Sequence, residues 1–232
     1  MNKYVGVLAV VALVASPAMA DINAGQITLG QGSYSYNVGG EFWAKDSALS
    51  TAAYAASTSG QDGHAGSFQT FCVETSEYFT PNGTYNVDIS TSGATGSMSR
   101  LTNQPLAAQT AWLYTQFATG AFAPTDYDYT NSLHRRSSDA GALQDAIWSF
   151  QHQSVENTDP AVLAEAAHFE SLANAAVANG WSGIGDVRIL NLWNTDGSAA
   201  QDQLYLMVPA PGAALLIGIG LSLVGWLKRR IA

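Results

Sequence analysis

The sequence predicts an α+β domain: an antiparallel β-sheet or sandwich with an inserted helical subdomain, an N-terminal signal peptide and a C-terminal membrane helix. Three observations predict it. Alternating, glycine-punctuated segments open and close the body of the chain, apolar residues fall at helical spacing through its middle, and an uncharged apolar stretch stands at each end. Strands, then helices, then strands is the order of a sheet assembled from both ends of a domain, with its helices segregated between them.

Residues 1–20 begin with a basic start at Lys3, continue through an apolar run from Val5 to Ala15 and end in Ala18-Met19-Ala20. That pattern of charge, length and small residues is a secretory signal peptide, and it places the start of the mature chain at Asp21. Residues 24–44 alternate apolar and polar side chains between glycines and predict two or three short strands. Residues 46–66, rich in Ser, Ala, Thr and Gly, predict a long surface loop. The segments SFQTFCVETSEYF and TYNVDIS, separated by Thr80-Pro81-Asn82-Gly83, predict a β-hairpin, because Asn-Gly supplies the left-handed conformations of a tight turn. Strand alternation puts Phe68, Thr70, Cys72 and Glu74 on one face and Phe71 and Val73 on the other.

The period then changes. Leu106, Thr110, Leu113 and Phe117 predict a helix within residues 104–120, with Pro105 in its first turn and Gly120 as its stop. A polar, turn-rich linker spans 121–138, and its His134-Arg135-Arg136 cluster reads as a solvated loop. Leu143, Ile147 and Phe150 mark one face of a second helix over 139–153, and Asp159-Pro160 opens a third that Asn179-Gly180 closes. DVRILNLWN and QDQLYLMV flank Thr195-Asp196-Gly197 and predict a second hairpin.

The body, residues 21–207, keeps five basic and all eighteen acidic residues once the two ends are set aside, a net charge of −13. Such a charge opposes nucleic acid and anionic membranes as partners. Asp126 and Asp128 alone are a weak calcium signal, and one cysteine with dispersed histidines lacks the ligand spacing of zinc, so no metal or other cofactor is assigned. Asn82-Gly83-Thr84 matches a glycosylation acceptor, but its turn role accounts for it.

Residues 208–232 place Pro209 and Pro211 before an apolar stretch from Gly212 to Leu227, followed by Lys228, Arg229 and Arg230. As a helix the stretch rises about 24 Å, a short span, and the basic residues after it favour a cytoplasmic C-terminus with the body outside. The layout resembles the PEP-CTERM sorting signal of bacterial exported proteins, with Val208-Pro209-Ala210-Pro211 in place of Pro-Glu-Pro. That resemblance implies an exosortase-type processing enzyme as a partner and a cell-surface or extracellular location. A plain tail anchor is the alternative.

Cys72 is the one cysteine of the chain, so in an oxidising compartment it has no partner within it. Four readings are open: a buried inert thiol, a bridge to another molecule, a catalytic nucleophile, or a bond to something other than sulfur. A cysteine hydrolase would draw on His64, His134, His152 or His168, but none lies in a local signature tied to Cys72, and a mid-strand thiol lacks the helix dipole that activates catalytic cysteines. An inert matrix or biofilm protein with a buried free thiol needs none of this chemistry.

The pair FCVE (Phe71–Glu74) on a strand and LQDAIW (Leu143–Trp148) on a later helix resembles the thioester domains of Gram-positive surface adhesins, with Leu143 where the Thr-Gln-x-Ala type motif has Thr. The resemblance implies a thioester between Cys72 and Gln144, shielded by Trp148 and by Phe68 or Trp112, with Gln116 and Gln151 as reserve partners. It implies covalent capture of surface-protein amines or polysaccharide hydroxyls in adhesion, and no enzymatic turnover. Amides are poor electrophiles, so the chemistry needs the thiol and the carboxamide held in near-attack contact and a donor for the carbonyl oxygen. Backbone amides in the first turn of the second helix are the expected donors, if Gln144 lies there.

Overall fold

A computed structural model describes residues 25–37, 39–46, 64, 66–91, 105–155 and 157–207. The predicted signal peptide, most of the 46–66 loop and the whole sorting segment with Pro209, Pro211, Arg229 and Arg230 lie outside those residues. Among the described residues no helix is long and apolar enough to cross a membrane.

Among the described residues the architecture is α+β: six antiparallel strands and three helices. The strands are β1 (Gln26–Tyr36), β2 (Gly39–Asp46), β3 (Phe68–Thr70), β4 (Gly83–Ser90), β5 (Val187–Trp193) and β6 (Ala199–Leu206), in the order β3-β2-β1-β4-β5-β6. The helices α1 (Ala108–Thr119), α2 (Arg136–Phe150) and α3 (Pro160–Ala178) fall between β4 and β5. The sheet is thus built from both ends of the domain, with the helices inserted. Its two edges meet at one end: Leu204 N–H donates to Phe71 O at 2.9 Å, Val73 N–H donates to Asp202 O at 3.1 Å, and Cys72 pairs with Gln203. The sheet therefore curls into a half-barrel, which protects edge groups that would otherwise stand unpaired.

Alternation along the strands feeds two cores. Phe71, Val73, Val187, Ile189 and Leu204 pack against Leu113, Phe117, Leu143, Ile147 and Phe169 of the helices. Ile27, Leu29, Phe42, Phe68, Cys72, Tyr85, Leu190, Leu192 and Tyr205 form the second core, which Trp148 of α2 also enters. The face assignment made from alternation around Cys72 therefore holds for Phe68 and Cys72 against Phe71 and Val73.

The expected hairpin over residues 67–90 does not form. β3 pairs with β2, whereas β4 pairs with β1 and β5, so two strands separate them. The Asn-Gly turn is present, with Asn82 at φ 63° and Gly83 N–H on Thr80 O, but it launches β4 rather than joining two partners. Local turn chemistry fixed the bend, and the β1–β2 hairpin decided the pairing. Only three residues of the predicted strand, Phe68–Thr70, are regular; Cys72 follows as a single bridge.

Two of the helices have a readable stop or start. Gly120 closes α1 in the left-handed region at φ 68°, and Asp159 caps α3 by accepting from Ala161 N–H, with Pro160 in its first turn. The turn between β5 and β6 carries Gly197 at φ 86°, as the second predicted hairpin requires.

α2 starts three residues before the predicted Asp139, and the cause is tertiary. Asp128 gathers the N–H groups of Ser132, Leu133 and Arg135 onto its carboxylate, folding the loop that leads into the helix. Burial works to raise the pKa of Asp128, but these donors outweigh it and leave it below the ordinary carboxylate value. These bonds make Asp128 a loop organiser, and Asp126 instead meets His168 at 3.1 Å. Arg136 then turns inward, 3% exposed, donating from Nε and Nη2 to the two oxygens of Glu41 at 2.7 and 2.8 Å and lying over the Tyr34 ring. The reading of His134-Arg135-Arg136 as a solvated cluster is corrected for Arg136. That residue clamps the start of α2 to β2.

Candidate functional site

Gln144 occupies the third turn of α2, fully buried. Its carboxamide docks on the backbone of Cys72 in a reciprocal pair: Cys72 N–H donates to Oε1 at 3.1 Å, and Nε2 donates to Cys72 O at 2.7 Å. The two bonds fix which end of the amide is oxygen. The thiol donates to the same Oε1, with Sγ 3.3 Å away. Sulfur and carboxamide, 72 residues apart in sequence, are therefore in contact at zero exposure.

The contact is positioned from three sides. Strand pairing to β6 holds Cys72. Gln153, just past the end of α2, accepts from Thr75 N–H at 3.2 Å and pins the chain beyond Cys72. From below, the backbone of Gly39 on β2 lies so close that a Cβ there would stand 2.6 Å from Cγ of Gln144 and 3.0 Å from the Trp148 ring. Gly141 plays the matching part on the helix, where a Cβ would stand 2.7 Å from the Tyr36 ring. These two glycines let α2 approach the β1–β2 hairpin closely enough for Gln144 to reach Cys72.

Of the expected shielding residues, Trp148 and Phe68 share the second core with Cys72, each 1% exposed. Trp112 does not: it is partly buried in the other core and meets Phe122 edge-on. The reserve partners lie elsewhere. Gln151 accepts from Ala107 N–H and Thr110 Oγ1 at the start of α1, and Gln116 sits on the partly buried side of α1. The histidines are also placed away from the thiol. His64 stacks on Trp43, His168 meets Asp126, and His134 and His152 stand in exposed left-handed turns.

The expected carbonyl donors, the first-turn amides of α2, are corrected by the position of Gln144 well inside the helix. In their place stands the N–H of Cys72 itself, aimed at Oε1, where negative charge develops when a nucleophile adds to the amide carbon. Burial pushes the thiol pKa well up; the Trp148 side chain pulls it down, and the charge of Glu74 raises it again. The site thus offers contact and a carbonyl donor, with the thiol held protonated.

Sequence reasoning missed Gly39, Glu74, Gln153 and the Glu41–Arg136 pair. Gly39-Gly40 ahead of Glu41 was the one local signal for a close backbone approach. The others gain meaning only through contacts across the fold.

No protein family matches the chain, and no curated protein matches it. Two solved structures are similar to it. The N-terminal thioester domain of a surface protein from Clostridium perfringens is 13% identical over 79% of this chain and 99% of that one, with a TM-score of 0.47. The N-terminal thioester domain of a protein F2 like fibronectin-binding protein from Streptococcus pneumoniae is 12% identical over 82% and 96%, with a TM-score of 0.45. At these levels the chemistry of the site rests on its own geometry.

Proposed function

We propose that this chain is an exported bacterial surface domain whose Cys72 and Gln144 form an internal thioester, and that the thioester captures an amine or hydroxyl nucleophile covalently. The observation that carries the reading is the contact of the Cys72 thiol with the Gln144 carboxamide, with Cys72 N–H on the carbonyl oxygen. Bond formation expels the Gln144 nitrogen as ammonia. Burial under Trp148 and Phe68 keeps water from the product. Each molecule reacts once, so the activity is adhesion rather than turnover, directed at surface-protein amines or polysaccharide hydroxyls. The signal peptide and the PEP-CTERM-like tail supply export and retention, with an exosortase-type enzyme acting on the tail.

Intact mass of the mature chain tests this. The thioester gives a deficit of roughly 17 Da, replaced by a methylamine adduct on treatment, and a thiol that resists alkylation in the unfolded chain until the amine is added. Full mass with an alkylatable Cys72 in the denatured chain rejects it in favour of an inert structural protein with a buried thiol.

A further inference from the structure

The geometry around the thiol leaves one ionisable group without a role. Glu74 is fully buried two residues from Cys72. Its Oε1 accepts from Asp202 N–H at 3.0 Å, and its Oε2 has no hydrogen-bond partner. Buried and without a donor on Oε2, the Glu74 side chain keeps an open acceptor position beside the reacting segment. The charge of Glu74 acts on the Cys72 thiol, which has to lose its proton before sulfur can attack an amide.

We infer that Glu74 takes the Cys72 thiol proton and returns it to the departing ammonia during thioester formation. This inference rests on the thioester reading above. The proton passes from Sγ to Glu74 Oε2 as Sγ bonds to the amide carbon of Gln144. The carbonyl electron pair moves onto Oε1, under Cys72 N–H. Collapse of that intermediate breaks the bond to Nε2, which takes the proton from Glu74 and leaves as ammonia. Thiol and primary amide become thioester and ammonia, nothing is oxidised or reduced, and Glu74 ends as it began.

The charges around Glu74 suit this exchange. On its own segment the titratable neighbour is Cys72. From β6 comes Asp202, whose carboxylate is turned away to accept from Asn191 Nδ2 and Leu192 N–H. Moving the proton from thiol to carboxylate leaves the total charge of the core unchanged.

The test uses the full chain. Ammonium chloride converts the thioester back to thiol and primary amide, a gain of roughly 17 Da, and removing it lets the bond re-form. The rate of that mass loss is followed for wild type, Glu74→Gln and Glu74→Asp between pH 5 and 9, with a thermal melt of each. Gln keeps an acceptor for Asp202 N–H but cannot take a proton. Glu74→Gln is expected to re-form the bond about 100-fold or more slowly, with a flattened pH profile and a near-wild-type melt, while Glu74→Asp recovers part of the rate. Re-formation by Glu74→Gln within about threefold of wild type overturns the inference and leaves the thioester standing. A slow Glu74→Gln variant that also melts early, with a wild-type pH profile, reduces Glu74 to packing and overturns it equally. A wild type without the deficit removes the thioester and this inference together.

Discussion

Gly39→Ala is the sharpest structural test of the site, because it adds one methyl group directly beneath the reacting carboxamide. Gly39 is ordinary strand backbone and not among the positive-φ glycines, so alanine meets no backbone strain there. The added carbon would lie 2.6 Å from Cγ of Gln144, where ordinary contact begins near 3.4 Å. The Gln144 side chain must therefore withdraw by about 0.8 Å, and Trp148 bars one route. A displacement near 1 Å in a near-attack arrangement costs about 100-fold in rate, and overpacking a filled core costs about 1–3 kcal/mol. Time-resolved intact mass after ammonium removal should show bond formation slowed by about two orders of magnitude, and a melt should show a loss of a few degrees. Unchanged rate and unchanged melt would refute the claim that Gly39 sets the reach of Gln144.

Arg136→Met leaves Glu41 buried without its guanidinium partner, and denaturant unfolding should show a loss of about 3–5 kcal/mol; a loss under about 1 kcal/mol would mean that the clamp between α2 and β2 is unimportant. Glu165 has a pKa raised to about 7, first by burial and then by the neighbouring Asp139 charge. Its folded value lies above its unfolded one, so the stability it lends is whole below about pH 4.5 and is lost as pH rises through about 7. Glu165→Gln should therefore match wild type near pH 4 and exceed it by about 1–2 kcal/mol near pH 8, after allowance for screening at a partly exposed site. A gain that appears only at low pH would reverse the assignment.

How much of this was legible in the sequence follows from how local each feature is. Asp159-Pro160, Gly120 and Thr195-Asp196-Gly197 act through neighbouring backbone, and the boundaries they mark lie where the sequence puts them, whereas α1 begins at Ala108 and leaves Pro105 outside its first turn. Alternation around Cys72 also survived, because burial on both sides of the sheet leaves no freedom for a one-residue slip. What failed was non-local. A local reading joins β3 to β4 because they are consecutive, yet the β1–β2 hairpin lies between them. Arg136 looked solvated beside His134 and Arg135, yet its partner Glu41 is 95 residues away. Trp148 stands one helical turn from Gln144 in the sequence, whereas Trp112 is only an alternative to Phe68. Only the placement of α2 between the two cores sends Trp148 to the thiol and Trp112 to Phe122.

The hydrogen bonds at the site set a thermodynamic limit on the bond they prepare. When ammonia leaves, Cys72 O loses the Nε2 donor that holds it at 2.7 Å, and a buried carbonyl left without a partner costs about 1–3 kcal/mol. Against that, a crosslink between residues 72 apart removes unfolded-chain entropy worth about 4 kcal/mol. The balance favours the bonded form by about 1–3 kcal/mol in folding stability, a gain that has no counterpart in an inert buried thiol. Wild-type chain can be compared with itself: thioester-bearing protein in buffer against protein held open in ammonium chloride, with a Cys72→Ala chain in both solutions to correct for the salt. A stability difference of that size, absent from Cys72→Ala, is expected in urea unfolding. Equal stability of the two wild-type forms would refute this balance, because a replacement donor on Cys72 O, such as a buried water, would only widen the difference towards about 4 kcal/mol.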